Sequence, residues 1–144
     1  MNEIKLVIDN STLEEYEEYY FSIHKKAKKK PIEHPYHESI NVWMIMKRPM
    51  MNALKQKWKD FIVWFSTDIG VADRRIQKCI ITQTVYYPTR RRHDTDNSVP
   101  KFILDGLVAS GVIVDDDMTC VTELRLKCDI DSMNPRTEIE IRIL

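Results

Sequence analysis

The segment from Arg74 to Tyr87 constrains the fold of this chain more than any other part of the sequence. It is rich in β-branched and aromatic residues, which favour extended backbone, and it is long enough to form a central strand. We expect its two faces to be formed by Ile76, Ile80 and Tyr86, and by Cys79, Ile81 and Val85. Because a central strand needs a partner on each side, the chain is expected to contain a sheet.

Further segments, in which apolar residues alternate with other residues, are predicted to be the partner strands. The first such segment is residues 4–8. Residues 124–130 and 139–143 also alternate, and we expect them to pair as a hairpin that turns at residues 134–135. A brief strand is expected at residues 112–114. The predicted sheet therefore has strands from both ends of the chain.

Helical spacing of apolar residues predicts the remaining elements. Ser11 and Glu14 have the spacing of a capping box, and the helix they begin is expected to run to Lys30. Apolar residues three and four apart predict a second helix from about Met50. A short third helix is expected over residues 102–108.

The intervening residues 31–49 contain three prolines and predict a long loop, with a short extended piece at residues 42–46. His34 and His37 in this loop are assigned no role. Together the elements predict an α+β fold, a small mixed β-sheet packed with helices, in a single domain over residues 1–144.

Charge and cysteine content limit the classes of function. The 22 basic and 22 acidic residues give a net charge of zero, which argues against non-specific coating of nucleic acid. Charges are nevertheless clustered, with basic groups at residues 25–30 and 90–92. No segment approaches the roughly 20 apolar residues of a membrane span, and the first residues lack the layout of a secretion signal, so we expect a cytoplasmic protein. The three cysteines form no CxxC pair and are expected to be buried thiols.

The polar segment that follows the central strand carries the candidate chemistry. It reads RRRHDTDN over residues 90–97. If this segment is extended, Asp94 and Asp96 point to the same side with Cα atoms about 7 Å apart. Their oxygens can then converge on Mg²⁺, which prefers oxygen ligands and keeps several waters. A third carboxylate is available from the acidic run at residues 115–117.

Basic residues near these aspartates suit contacts with a phosphate backbone. Lys101 is placed to pair with a scissile phosphate, and Arg90, Arg91 and Arg92 with its neighbours. Each feature also has a structural interpretation: the DxD pair as a turn, Lys101 and Asp105 as an ordinary i,i+4 pair, and the arginines as a solvated strand end. The conjunction of all of them within about 30 residues favours a metal-dependent phosphodiesterase.

Residues 88–117 closely resemble the signature of the RusA-type Holliday junction resolvases. The resemblance rests on the arginine-rich strand end, DxDN, a helix with Lys and Asp, a glycine, a short apolar stretch and paired aspartates. It implies a homodimer that binds branched DNA at four-way junctions and nicks two strands with Mg²⁺, or with Mn²⁺ as a substitute. The helix expected at residues 11–30 has no clear counterpart in this pattern and is interpreted as an addition.

The same resemblance assigns roles to individual residues. The first two metal ligands fall on Asp94 and Asp96, and the third falls on Asp116, with Asp115 as second choice and Asp117 the remaining member of the run. The family places its lysine four residues after the second aspartate, whereas Lys101 is five residues after Asp96. The resemblance also makes Lys101 catalytic and DNA-binding, together with the three arginines.

Three functions are compatible with this pattern. The leading hypothesis is a Mg²⁺-dependent endonuclease that resolves four-way junctions in DNA recombination and repair. The alternative is a non-catalytic protein of the same fold that binds branched DNA. A third is a metal-dependent nuclease that acts on flaps or RNA, because side chains that contact only phosphates do not define the substrate's shape.

Overall fold

Four strands and four α-helices build the part of the chain that the computed structural model describes, residues 2–144. In chain order they are β1 (Glu3–Asp9), α1 (Asn10–Ile23), α2 (Ile40–Trp43), α3 (Arg48–Asp68), β2 (Cys79–Tyr87), a 3₁₀ helix (Thr95–Ser98), α4 (Lys101–Ala109), β3 (Val121–Ile130) and β4 (Arg136–Ile143). The α+β class expected from the sequence is confirmed.

The strands form one mixed sheet in the order β1-β4-β2-β3. β4 pairs antiparallel with both β1 and β2, whereas β2 and β3 are parallel. β2 therefore has a partner on each side, as expected for the central strand. The 3₁₀ helix and α4 form the crossover between the two parallel strands, because parallel strands need a long connection.

The expected hairpin of β3 and β4 is wrong, because β2 lies between these two strands. The connection crosses the end of β2, where Arg136 lies over the ring of Tyr86 at 3.8 Å and pairs with Asp131 at 2.8 Å. Two strand spacings amount to roughly 10 Å, a distance that the residues between β3 and β4 can span. Alternation correctly identified both strands but does not define which strands pair.

A single hydrophobic core joins the helices to one face of the sheet. Ile81 of β2 and Ile141 of β4 are partners in the sheet, and both are fully buried. The helices contribute buried residues of α1, α3 and α4, the largest being Tyr16, Trp58, Phe61, Ile62, Phe65, Phe102, Ile103 and Leu107. α3 and α4 approach closely at Gly106, where an added Cβ would lie 2.5 Å from the Cβ of Ile62. The second and third predicted helices are thus confirmed.

The first helix is shorter than expected and has a different cap. Asp9 is the N-cap, its side chain accepting from the backbone N–H of Thr12 at 2.9 Å, so the predicted box of Ser11 and Glu14 is wrong. The helix ends at Ile23, before the lysine run at residues 25–30. A continued helix would place lysines beside one another at i,i+3 and i,i+4, and such like-charge pairs are destabilising.

Smaller differences concern the loops. β2 begins at Cys79 rather than near residue 74, since Asp73 and Arg75 have positive φ angles of 61° and 51° that interrupt an extended chain. Ser39 caps α2, so the extended piece predicted at residues 42–46 is wrong. The brief strand predicted at residues 112–114 is only a single bridge to Ile76.

The three cysteines are free, Cys79 and Cys120 being buried and Cys128 half-buried. Among the helices of residues 2–144, none combines the length and the apolar character that crossing a bilayer requires.

Candidate active site

The arginine-rich segment leaves β2 at its carboxyl end and leads into Asp94. Arg90, Arg91 and Arg92 are exposed. The Nε atom of Arg92 lies 3.3 Å from Oδ1 of Asp94, whose side chain is half-exposed. The backbone of Asp94 is extended, with φ −87° and ψ 128°. Asp94 is therefore accessible from solvent and already lies beside a cation.

The DxD pair is not extended throughout, contrary to the prediction. The backbone N–H of Asn97 donates to the carbonyl of Asp94 at 3.0 Å, which closes a 3₁₀ turn that contains Asp96. Asp96 is exposed, and its carboxylate accepts no hydrogen bond and forms no ion pair with any other residue of 2–144. The DTDN sequence favours this turn because Asp and Asn commonly start turns.

Gln83 holds this turn against the sheet. Its side chain, in the middle of β2, is fully buried, and its Nε2 atom donates to the carbonyl of Ser98 at 2.8 Å. Ser98 also donates through its hydroxyl to the carbonyl of Thr95 at 2.6 Å. The turn that carries Asp96 is thereby fixed to the rigid part of the fold. Sequence reasoning missed Gln83, for which the one signal was a polar residue at an inward position of the strand.

Lys101 connects α4 to the acidic run. Its Nζ atom lies 3.3 Å from Oδ1 of Asp105 and 3.7 Å from Oδ2 of Asp116. Lys55 of α3 approaches the other oxygen of Asp105 at 3.7 Å. The structure therefore brings together Lys101, Asp105 and Asp116 and adds Lys55 of α3.

The three aspartates of the acidic run have different surroundings. Asp117 accepts from the hydroxyl of Thr119 at 2.6 Å and from the backbone N–H of Cys120 and of Thr119, both at 3.1 Å. These hydrogen bonds, that of the Thr119 hydroxyl first, lower the pKa of Asp117. Asp115 accepts from the backbone N–H of Asp116 at 2.7 Å. Asp117 thus orders the turn before β3, whereas Asp116 is the member that faces Lys101.

His37 caps the helix that carries Lys101. Its Nε2 atom accepts from the backbone N–H of Phe102 at 3.0 Å, and its Nδ1 atom lies 2.7 Å from the carbonyl of Glu38. This pattern requires the neutral ring, with the proton on Nδ1. The N-cap position of α4 is Pro100, which forms no side-chain capping hydrogen bond. His37, to which no role was assigned, therefore positions the amino end of α4.

Burial of His37 makes the stability of the fold dependent on pH. Desolvation lowers its pKa from 6.5 to about 4. Between these values the unfolded chain binds a proton at His37 and the folded chain does not, so the free energy of unfolding should fall as the pH is lowered. The full effect is on the order of 3 kcal/mol. Glu38, whose pKa is raised by burial, acts in the opposite direction.

Urea unfolding of the wild type and of His37→Phe between pH 7 and pH 4 checks this expectation. The variant should be less stable at pH 7 and should lack the part of the pH dependence that comes from His37. His34→Ala, which removes an exposed histidine from the same loop, should keep the wild-type slope. Identical slopes for the wild type and His37→Phe would contradict the assignment.

The predicted metal ligands have a suitable chemistry, because all three donors are carboxylates and Mg²⁺ prefers oxygen. Two of them, Asp94 and Asp116, lie beside Arg92 and Lys101. Within residues 2–144, no three histidine, cysteine or acidic side chains form a group that would hold a metal ion. The ligand set of Asp94, Asp96 and Asp116 therefore stays a prediction.

Three features are compatible with a nuclease that acts on a phosphate backbone: the mixed sheet, the acidic turn after its central strand, and the lysine on the crossover helix. The family model of endodeoxyribonuclease RusA matches residues 2–142, a range that includes α1. The chain belongs to the RusA endodeoxyribonuclease family, which implies a Holliday junction resolving endonuclease of DNA recombination and repair. No match was found among curated proteins.

Proposed function

We propose that this chain is a Mg²⁺-dependent, structure-selective endonuclease that resolves four-way DNA junctions by hydrolysing phosphodiester bonds, with Mn²⁺ as a possible substitute. The observation that supports this most strongly is the position of Lys101, whose ammonium lies between Asp105 and Asp116. A lysine held beside an acidic site is suited to a phosphate that approaches the same carboxylates. The proposed nuclease domain is residues 1–144.

In this proposal Asp94, Asp96 and Asp116 hold the metal ion through their carboxylate oxygens. When bound, such an ion stabilises charge on the phosphate and lowers the pKa of a bound water. Asp96 suits this role because its carboxylate is exposed and has no partner among residues 2–144. On binding the metal ion, Asp94 would give up its ion pair with Arg92, and Asp116 would give up its ion pair with Lys101. The side chains of Arg92 and Lys101 would then be released.

The freed cations would then bind the DNA backbone. Lys101 contacts the scissile phosphate, and Arg90, Arg91 and Arg92 contact neighbouring phosphates, which positions the DNA without selecting a base sequence. The exposure of all three arginines supports this role. His37 and Gln83 do not contact the substrate in this account and act by fixing the helix and the turn.

The active form is proposed to be a homodimer, because cutting two strands of one junction requires two sites. The edge strand β3 supports a second copy: Leu124 and Ile130 on this strand are exposed to 37% and 45%, and its outer edge is free within residues 2–144. Unpaired edges of this kind are ready to pair with another chain. Because the substrate is DNA, the expected cytoplasmic location is part of the same proposal.

Incubation of the protein with a synthetic four-way junction, and separately with a linear duplex of matched sequence, tests this function. With Mg²⁺ we expect the junction to be cut and the duplex to remain intact, and chelation of the metal should stop cleavage. Equal cutting of both substrates would reject junction resolution. Binding without cleavage in Mg²⁺ and in Mn²⁺ would establish the alternative of a non-catalytic binder of branched DNA. Flap and RNA substrates are incubated in parallel, and faster cutting of either would establish the third hypothesis, a metal-dependent nuclease that acts on flaps or RNA.

A further inference from the structure

A cleft of about 540 Å³ opens beside Asp94, between the loop that precedes α2 and the segment that follows β2. Its lining includes five aromatic rings, those of His34, Tyr36, His37, Tyr87 and His93, together with Asp94 and Asn97 of the candidate site. The volume is in the range of pockets that hold small ligands. The candidate active site therefore continues into a cavity whose walls include a cluster of aromatic rings.

Contacts between neighbouring rings fix their relative positions. Tyr87 and His93 stack with centroids 3.7 Å apart and an angle of 2°, and Tyr36 meets Tyr87 edge-on at 5.0 Å. His34 stacks on Tyr36 at 5.2 Å and 7°. Tyr87 is buried, whereas His34 and His93 are exposed. The buried ring anchors the cluster to the sheet and leaves flat ring surfaces accessible from the cleft.

Charge at the cleft favours a nucleotide over a purely apolar ligand. Arg91 and Arg92 line it together with the carboxylates of Glu38 and Asp94. Arg92 pairs with Asp94, whereas the guanidinium of Arg91 has no acidic partner among residues 2–144 and is available for a phosphate. Planar rings next to an unpaired guanidinium group, here that of Arg91, are the combination that binds single-stranded nucleic acid, with rings stacking on bases and cations contacting phosphates. The adjoining Asp94 places such a nucleotide directly beside the proposed site of cleavage.

We propose that this cleft binds one unpaired base of the DNA, next to the phosphate that is cut, by stacking on the parallel rings of His34 and Tyr36, with the ring of His93 meeting the edge of the base. The inference rests on the proposed junction-resolving function and adds a recognition step to it. Stacking is possible for every base, so the cleft selects an unpaired nucleotide rather than a base sequence. At a crossover point, where pairing is easily opened, such a base is available; within a linear duplex, flipping one out costs unpairing and unstacking energy.

Photocrosslinking tests the proposal independently of cleavage. A four-way junction carries 5-iodouracil at positions next to the crossover, is bound by the full chain in the presence of a chelator, and is irradiated. Mass spectrometry should find adducts on His34, Tyr36 or His93. Adducts confined to other parts of the chain would overturn the proposal.

Affinity measurements on the same metal-free complex provide the second readout. His34→Ala and Tyr36→Ala should each weaken junction binding by at least about 5-fold, with a smaller effect on linear duplex. Tyr36→Phe keeps the ring and should bind like the wild type, as should Tyr19→Ala, which removes an exposed ring on α1. Unfolding midpoints identify any variant that fails to fold.

The outcomes separate this inference from the proposed function. A wild type that binds and cuts junctions, together with unchanged affinity of both alanine variants, would overturn the base-binding cleft and leave the nuclease proposal intact. A wild type that neither binds nor cuts junctions would overturn both.

Discussion

Asp96→Asn should reduce junction cleavage by more than about 100-fold while leaving junction binding close to that of the wild type. The amide has nearly the same shape as the carboxylate but lacks its charge, so it is a much weaker ligand for Mg²⁺. Loss even of groups that only support a metal ligand typically costs 10- to 100-fold, and loss of a ligand itself should cost at least as much. Asp96 has no structural partner in residues 2–144, so the fold should not change.

Cleavage of a labelled junction under single-turnover conditions measures this effect, and a gel-shift titration without metal measures binding. Asp68→Asn is the matched control, because Asp68 is exposed at the end of α3 and should cut at the wild-type rate. Full activity of Asp96→Asn would remove Asp96 from the metal site. Loss of binding together with cleavage would instead indicate a role in holding DNA.

Asp116→Asn should be the one substitution in the acidic run that strongly reduces junction cleavage. The reduction should be similar to that expected for Asp96→Asn. The carboxylate of Asp116 faces Lys101 at 3.7 Å, whereas that of Asp117 already accepts hydrogen bonds from Thr119 and Cys120. Loss of the negative charge of Asp116 also removes one ion pair of Lys101, so that more of its positive charge is available to DNA. Binding of junctions without metal should therefore be equal to or tighter than that of the wild type.

The neighbouring variants Asp115→Asn and Asp117→Asn are the controls for this prediction. Asparagine keeps an acceptor oxygen and is itself a good capping residue, so the turn before β3 should survive in both. Each should cut within a few-fold of the wild-type rate. If Asp115→Asn were the inactive member of the series, the third ligand would be Asp115, the second choice from the sequence.

Local periodicity predicted the elements of the fold better than their arrangement. The positions of β2, α3 and α4 follow from apolar patterns that a strand or a helix must bury. Pairing depends on contacts distant in the sequence, and for this reason the terminal strands looked like a hairpin although β2 separates them. α1 ends at Ile23, before the lysines that the apolar stripe was expected to include, because an apolar pattern does not by itself define where a helix stops.

In the candidate site, too, local sequence predicted the residues better than it predicted their contacts. The order of the residues and the family resemblance led to Asp94, Asp96, Lys101 and Asp116 as predicted site residues, and the structure places Lys101 beside Asp116. The turn conformation at Asp96 and the contributions of His37 and Gln83 were not predictable, because each depends on a partner in another element. His37 in particular is 65 residues before the backbone N–H that it caps.

Mapping the nicks in a four-way junction shows whether the protein resolves junctions by paired incisions. Each of the four strands is labelled in turn, the junction is incubated with the protein and Mg²⁺, and the cut positions are read at nucleotide resolution. We expect two nicks, placed symmetrically in opposing strands near the crossover, which give linear duplexes that a ligase can reseal. Cuts scattered over all four arms, or an intact junction, would rule out resolution of junctions by this protein.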